Sequence, residues 1–191
     1  MPRWRLVVDK EGDRREWPRR PQLFGSQVGG HRATRAAWYH RPFLTSSQAV
    51  NKVNVYFSCS LTGGRQDEQV YGQIVDYLLS AGHEVPTAHL ARPEVMDLEK
   101  VVDAAEVYAR DIAWIQTCDV VVAEVSTPSH GVGYEIAYAL ELGKPVLCCH
   151  RRGTPVSKMI VGNNRPGMVV GDYDQAADAL ALVDRFLEQL G

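Results

Sequence analysis

From residue 52 onward, short apolar runs alternate with amphipathic stretches. Runs of strand length lie at 53–57, 119–123, 145–149 and 167–170, and a weaker one, HEVPTA, lies at 83–88. Between them apolar positions recur with helical spacing. Val70, Ile74, Tyr77, Leu78 and Ala81 fall on one face of a helix over 67–81. Val101, Tyr108, Ile112 and Ile115 mark a second helix, and Gly133 to Leu142 a third, closed by Gly143 and Pro145. Residues 155–162 read as a fourth, and Ala176, Leu180, Val183, Leu187 and Leu190 mark a C-terminal helix. Near-continuous apolar strands alternating with helices predict a parallel sheet covered on both faces. The expected fold class is therefore α/β, a doubly wound five-stranded parallel sheet of the Rossmann or flavodoxin-like type, with strand order 2-1-3-4-5. In that order a crevice opens beyond the carboxyl ends of strands 1 and 3, where ligands of this architecture bind.

The first fifty residues break the pattern. They carry ten Lys+Arg and four Asp+Glu, a balance of +6, against a balance of -8 in residues 51–191. RREWPRRPQLFGSQVGGHR has too few apolar positions to offset the entropy of ordering it. Residues 1–50 are expected to be a basic, mostly disordered extension with one short strand at residues 4–8, and residues 51–191 the working domain. Asp9, Glu11, Asp13 and Glu16 argue against an acid-poor transit peptide. The net charge of -2 gives no global reason to expect nucleic acid or an anionic membrane as a partner. No apolar run approaches the ~18 residues of a membrane span. Cys59, Cys118, Cys148 and Cys149 form no C-x-x-C pair, and three sit in or beside apolar runs, which fits buried reduced thiols in a reducing compartment.

Two loops fall at the crevice. The first, SCSLTGGR, offers Ser58, Ser60, Thr62, Arg65 and the backbone around Gly63 and Gly64, ahead of a helix N-terminus. It matches neither G-x-G-x-x-G nor the P-loop, so alone it leaves open a phosphate cradle or an ordinary turn. The second, EVSTPSHGVGYE, adds Ser129, Gly131, Gly133, Tyr134 and Glu135. Glu135 is placed in the first turn of the third helix, where a carboxylate interacts well with the helix dipole. At the crevice the same carboxylate can serve as a nucleophile or stabilise an oxocarbenium ion. Asp111 is a second carboxylate, with pairing to Arg110 or Arg65 as its plain alternative. Tyr56 is unusual in a buried strand, because its hydroxyl needs a partner, and the end of strand 1 lets that hydroxyl reach the crevice. His89 is within reach as well, or is simply structural. No group of residues has metal-ligand spacing, so no metal is expected, and no cofactor is called for.

Taken together, VYFSCSLTGGR, YARDIAWIQTCDVVVAEVSTPSHGVGYE, GKPVLCCHR and VSKMIVG resemble the 2'-deoxynucleoside 5'-phosphate N-hydrolases, within the nucleoside 2-deoxyribosyltransferase superfamily. The resemblance covers residues 53–190. It implies that Glu135 attacks the anomeric carbon of the deoxyribose, that Tyr56 orients it, and that Asp111 helps protonate the leaving base. It implies that Ser60, Gly63, Gly64, Arg65 and Ser129 surround the 5'-phosphate, that Ser58, Cys59, Leu61, Thr62 and Gly131 belong to the same substrate site, and that Ile74 and His89 lie near base and sugar. Ser157 and Met159 match positions that complete the site from a dimer partner, so a homodimer with a shared active site is implied. Thr62 stands where family members carry an arginine, which removes one cationic phosphate contact. The implied substrate is a deoxynucleoside monophosphate, and the implied setting the cytoplasm, with the nucleus as a second compartment. Three other readings fit the same residues: a deoxyribosyltransferase that passes the sugar to another base, a ribonucleotide hydrolase, and a non-catalytic nucleotide-binding module.

Overall fold

In the computed structural model, which describes residues 52–96 and 101–190, Val55, Tyr56, Phe57 and Ser58 form β1 (Val55–Ser58), with no side chain of the four open to solvent. Its successive side chains point to opposite faces. Val55 and Phe57 pack into an apolar cluster with α1 (Glu68–Ser80) and the C-terminal helix, α5 (Ala176–Glu188). Tyr56 enters a second cluster on the other face, formed with α2 (Ala104–Thr117) and α3 (His130–Glu141). The strand is therefore apolar at nearly every position, because both of its faces are covered.

Three more strands complete the sheet: β2 (Val120–Glu124), β3 (Val146–Arg151) and β4 (Met168–Tyr173). All neighbours are parallel and their order is β1-β2-β3-β4. A short helix, α4 (Lys158–Val161), separates β3 from β4. The sheet is thus four-stranded among the described residues, where five strands were expected. The run at 83–88 contributes only one bridge, Asn54 with Glu84, on the outer side of β1. That is the side predicted for strand 2, so the remaining order is the expected one with that strand removed. The ladder begins, with Glu84 N–H donating to Val53 O (2.9 Å) and Val55 N–H to Glu84 O (2.8 Å). It stops at Pro86, and the chain turns into a 3₁₀ helix, Ala88–Ala91. Phe57 N–H, the next donor along β1, is taken by the Thr87 hydroxyl at 2.9 Å.

Two helices also differ from expectation. In α2 only Ile115 is fully buried; Val101 precedes the helix and is 82% exposed, and Tyr108 lies against Tyr134 instead of in the core. Helix α3 starts three residues early, because Ser129 acts as N-cap and accepts a hydrogen bond from Val132 N–H. The N-terminal extension, with the short strand expected at residues 4–8, lies outside the described residues. Among the described residues no helix is long and apolar enough to cross a membrane.

Candidate active site

Helix α3 runs beside the C-terminal end of β1 and turns Glu135 toward it. The Tyr56 hydroxyl donates to Glu135 Oε1 at 2.9 Å, and the Ser58 hydroxyl donates to Oε2. Tyr56 and Ser58 are two residues apart on β1 and so share a face. The strand pleat thus presents one donor to each oxygen of a single carboxylate. Glu135 is the sixth residue of α3, in its second turn and not its first, so these two hydroxyls hold the carboxylate where a dipole contact was expected. Burial raises the Glu135 carboxyl above the usual glutamate range, the Ser58 and Tyr56 hydrogen bonds pull it back, and the charge of Asp111 raises it again. Burial, reinforced by Glu135 and Asp111, pushes the Tyr56 phenol far up, so Tyr56 stays protonated and remains a donor.

Asp111 is therefore close enough to bias both partners. It is also ion-paired to its neighbour, with Arg110 Nε at 3.0 Å, which is the plain alternative read from the sequence. The Arg110 guanidinium lies 5.0 Å over the Trp114 ring, and Trp114 meets the His89 ring edge-on at 5.8 Å. Asp111, Arg110, Trp114 and His89 thus form a continuous polar and aromatic wall. Trp114 was not singled out in the sequence, and Arg110 only as a partner for Asp111; the i, i+4 spacing that stacks them was the available signal.

The two loops meet as expected, and a glycine permits it. A Cβ on Gly63 would fall 2.2 Å from the Pro128 carbonyl oxygen and 2.8 Å from Ser60 Oγ. Gly64 has φ +117°, open to few other residues. Ser60 is fully buried, and its hydroxyl has no hydrogen-bond partner. Cys59 is buried with Sγ 3.6 Å from Leu90 O, and burial pushes its thiol up to about 12. Leu61 packs on the core, whereas Thr62 is exposed. Gly131 lies exposed in the first turn of α3.

Four residues are placed differently from the rest of the set. Ile74 is fully buried in the core under α1. Arg65 points away from the loop crest, donating to Leu90 O and Arg92 O (3.0 Å each) and to Glu68 (3.2 Å). Ser157 caps α4 by accepting from Met159 N–H, and Met159 is 84% exposed; both face solvent in this chain.

Beneath the second loop lies a carboxyl that the sequence reading passed over. Glu124, at the end of β2, is fully buried and accepts from Tyr173 OH at 2.9 Å and from the backbone N–H and hydroxyl of Ser126. Ser126 Oγ in turn accepts from Arg151 N–H at 2.6 Å. Burial raises the Glu124 carboxyl, and its hydrogen bonds only partly reverse this. Among the described residues, no cluster of His, Cys, Asp and Glu could hold a metal ion.

Residues 55–180 match the family described as nucleoside 2-deoxyribosyltransferase. A Methanosarcina mazei protein named "Putative 2'-deoxynucleoside 5'-phosphate N-hydrolase 1" is 39% identical over 139 residues, spanning 73% of this chain and 86% of the relative. The 5-hydroxymethyl-dUMP N-hydrolase of Rattus norvegicus is 39% identical over 140 residues, 71% of this chain and 85% of the rat protein. The solved structure of the Clostridium botulinum CMP N-glycosidase BcmB aligns with a TM-score of 0.55 at 18% identity, covering 70% of this chain and 99% of that one, a likeness of fold.

Proposed function

Because the chain belongs to the nucleoside 2-deoxyribosyltransferase family, we infer that it hydrolyses the N-glycosidic bond of 2'-deoxynucleoside 5'-monophosphates. The products are the free base and 2-deoxyribose 5-phosphate. One observation carries the reading: a half-buried glutamate with each carboxylate oxygen held by its own hydroxyl, Tyr56 on Oε1 and Ser58 on Oε2. A nucleophile needs that fixed orientation. Glu135 attacks C1' as the bond to the base breaks, and the sugar passes through an oxocarbenium-like state that the carboxylate stabilises. The electron pair of the broken bond leaves with the base, which takes a proton from the Asp111 side. Water then hydrolyses the deoxyribosyl ester and frees Glu135.

Ser60, the Gly63 and Gly64 amides and Ser129 supply neutral donors for the 5'-phosphate. The unpaired Ser60 hydroxyl supports that role, since leaving such a group buried and unpaired costs about 1–3 kcal/mol. Ser157 and Met159, exposed here, are assigned to a neighbouring subunit's site in a homodimer. Four free, buried thiols suit the reducing cytoplasm.

The test is a panel of deoxynucleoside monophosphates, with 5-hydroxymethyl-dUMP included because related proteins carry that name. Released base is measured with and without an added acceptor base. Glu135→Ala is expected to keep substrate binding and to lose turnover by several orders of magnitude, on the order of the loss of other covalent nucleophiles. Near-normal hydrolysis by this variant, or base exchange outrunning hydrolysis in the unaltered protein, overturns the reading.

A further inference from the structure

The segment from 83 to 92 has an unusual support. It carries His89 toward the Trp114 wall, yet among the described residues only Glu84 joins it to the sheet by a backbone bridge. Past Pro86 no ladder holds it. Side chains take over: Thr87 accepts from Phe57 N–H, and Arg65 reaches across from the first loop. The Arg65 guanidinium has five N–H donors in a rigid fork. Nη1 donates to Leu90 O and Nη2 to Arg92 O, both at 3.0 Å, while Nε donates to Glu68 at 3.2 Å. Its side chain is 11% exposed and lies 6.0 Å from the centroid of the Tyr71 ring. Leu90 O lies in the 3₁₀ helix, whose last carbonyls lack partners within it, and Arg92 O, on the C-cap residue, is shared with Val95 N–H at 3.3 Å.

We propose that Arg65 is a positioning residue and not a phosphate ligand. Its fork fastens the 88–92 turn to the first loop and thereby sets His89 against Trp114, on the base side of the site. Cys59 adds a weaker tie to the same carbonyl, Leu90 O. Two consequences follow. The 5'-phosphate is gripped by neutral donors, without Arg65. And the loop on the phosphate side dictates where the wall on the base side stands, so the two ends of a nucleotide are sensed by one rigid connection.

The site assignment rests on the function proposed above, but the brace itself is read out independently of any reaction. The experiment is amide hydrogen exchange, by mass spectrometry, on the full chain and on Arg65→Met and Arg65→Lys. Exchange in residues 88–92 is expected to quicken tenfold or more in both variants. A single ammonium cannot span two carbonyls and a carboxylate, so lysine does not rescue the brace. Binding of inorganic phosphate, followed by calorimetry, is expected to stay within twofold of the unaltered protein in both. With deoxynucleoside monophosphate, kcat/KM should fall in both. Unchanged exchange at 88–92 overturns the proposal, as does a tenfold loss of phosphate binding in Arg65→Met that Arg65→Lys restores. If the unaltered protein hydrolyses no nucleotide, the function proposed above fails while exchange and phosphate binding still decide the role of Arg65.

Discussion

Replacing Tyr56 with phenylalanine removes one oxygen from a filled core and leaves the ring in place, so its consequences trace to one bond. The hydroxyl is buried and donates to Glu135 Oε1 at 2.9 Å. A hydrogen bond to an ionised group contributes about 1.5–3 kcal/mol, against about 0.5–1.5 kcal/mol for a neutral pair. Tyr56→Phe should therefore cost the fold about 1.5–3 kcal/mol where Glu135 is ionised and less where it is protonated. The sign follows from linkage. The bond lowers the Glu135 carboxyl from the raised position that burial imposes. Without the bond the folded variant holds its proton to higher pH, so its loss of stability with rising pH starts at the same point but continues further, and the gap from the unaltered protein widens toward neutrality. Urea unfolding of the unaltered protein, Tyr56→Phe, Glu135→Gln and the double variant measures this directly. Glutamine keeps an oxygen for the tyrosine but no charge, so the cycle isolates the ionic share, about 1–1.5 kcal/mol at neutral pH.

The same loss should appear in catalysis. A nucleophile freed on one side loses orientation, and about 1.5–3 kcal/mol corresponds to about 10- to 150-fold in kcat/KM. The acid limb of the pH profile should also move to higher pH, because a larger share of Glu135 is protonated at any given pH. A coupling within about 0.5 kcal/mol of zero, or a stability cost that does not change with pH, would refute the idea that Tyr56 holds an ionised Glu135.

Two further substitutions probe the surroundings. Gly63→Ala drives a Cβ to 2.2 Å from the Pro128 carbonyl oxygen, a backbone atom that cannot swing aside; the expected cost is about 1–3 kcal/mol, with a raised KM for nucleotide and an unchanged circular dichroism spectrum, and an unaltered KM would mean that the two loops need not touch. Glu124→Gln keeps an acceptor for Ser126 and Tyr173 but cannot ionise. Since burial raises the Glu124 carboxyl, the folded protein favours its protonated form, and the stability that form contributes is lost as pH rises through the raised value. The variant should therefore be more stable than the unaltered protein at neutral pH, by about 0.5–2 kcal/mol, and melt higher, with the advantage fading toward low pH; a lower melting temperature at neutral pH would show that the buried charge is compensated.

The sheet was legible because its strands are buried on both faces, so their apolar runs carry the signal uninterrupted: 119–123 became β2 and 145–149 became β3, each within one or two residues of the predicted ends. The run at 83–88 looked similar but contains Pro86, which has no N–H to donate, and Thr87 took the next donor of β1 through its side chain. Gly131 and Gly133 in the stretch before Glu135 disguised the start of α3. Glycine weakens a helix by about 1 kcal/mol relative to alanine, and that penalty suggested a loop. The Ser129 cap outweighed it, and the three-residue shift moved Glu135 out of the first turn.

What the pattern of apolar positions cannot encode is the direction of a long side chain. Arg65 follows a glycine pair and precedes a helix, and by position alone it belongs with the phosphate loop. Its partners, Leu90 O and Arg92 O, are 25 and 27 residues away in sequence. They came within its reach because the chain leaves the sheet at Pro86 and turns into the 3₁₀ helix. The two misreadings thus share a cause: had the second strand formed, a ladder would have held this segment and the arginine would have been free for other work. Tyr56 shows the opposite case. A tyrosine in a strand closed to water must find a partner within reach of its hydroxyl, the pleat limits that reach to one face, and on that face stands α3 with Glu135. Buried polar groups whose partners are fixed by the strand period are readable from sequence; exposed or flexible ones, whose partners depend on where a neighbouring element happens to stop, are not.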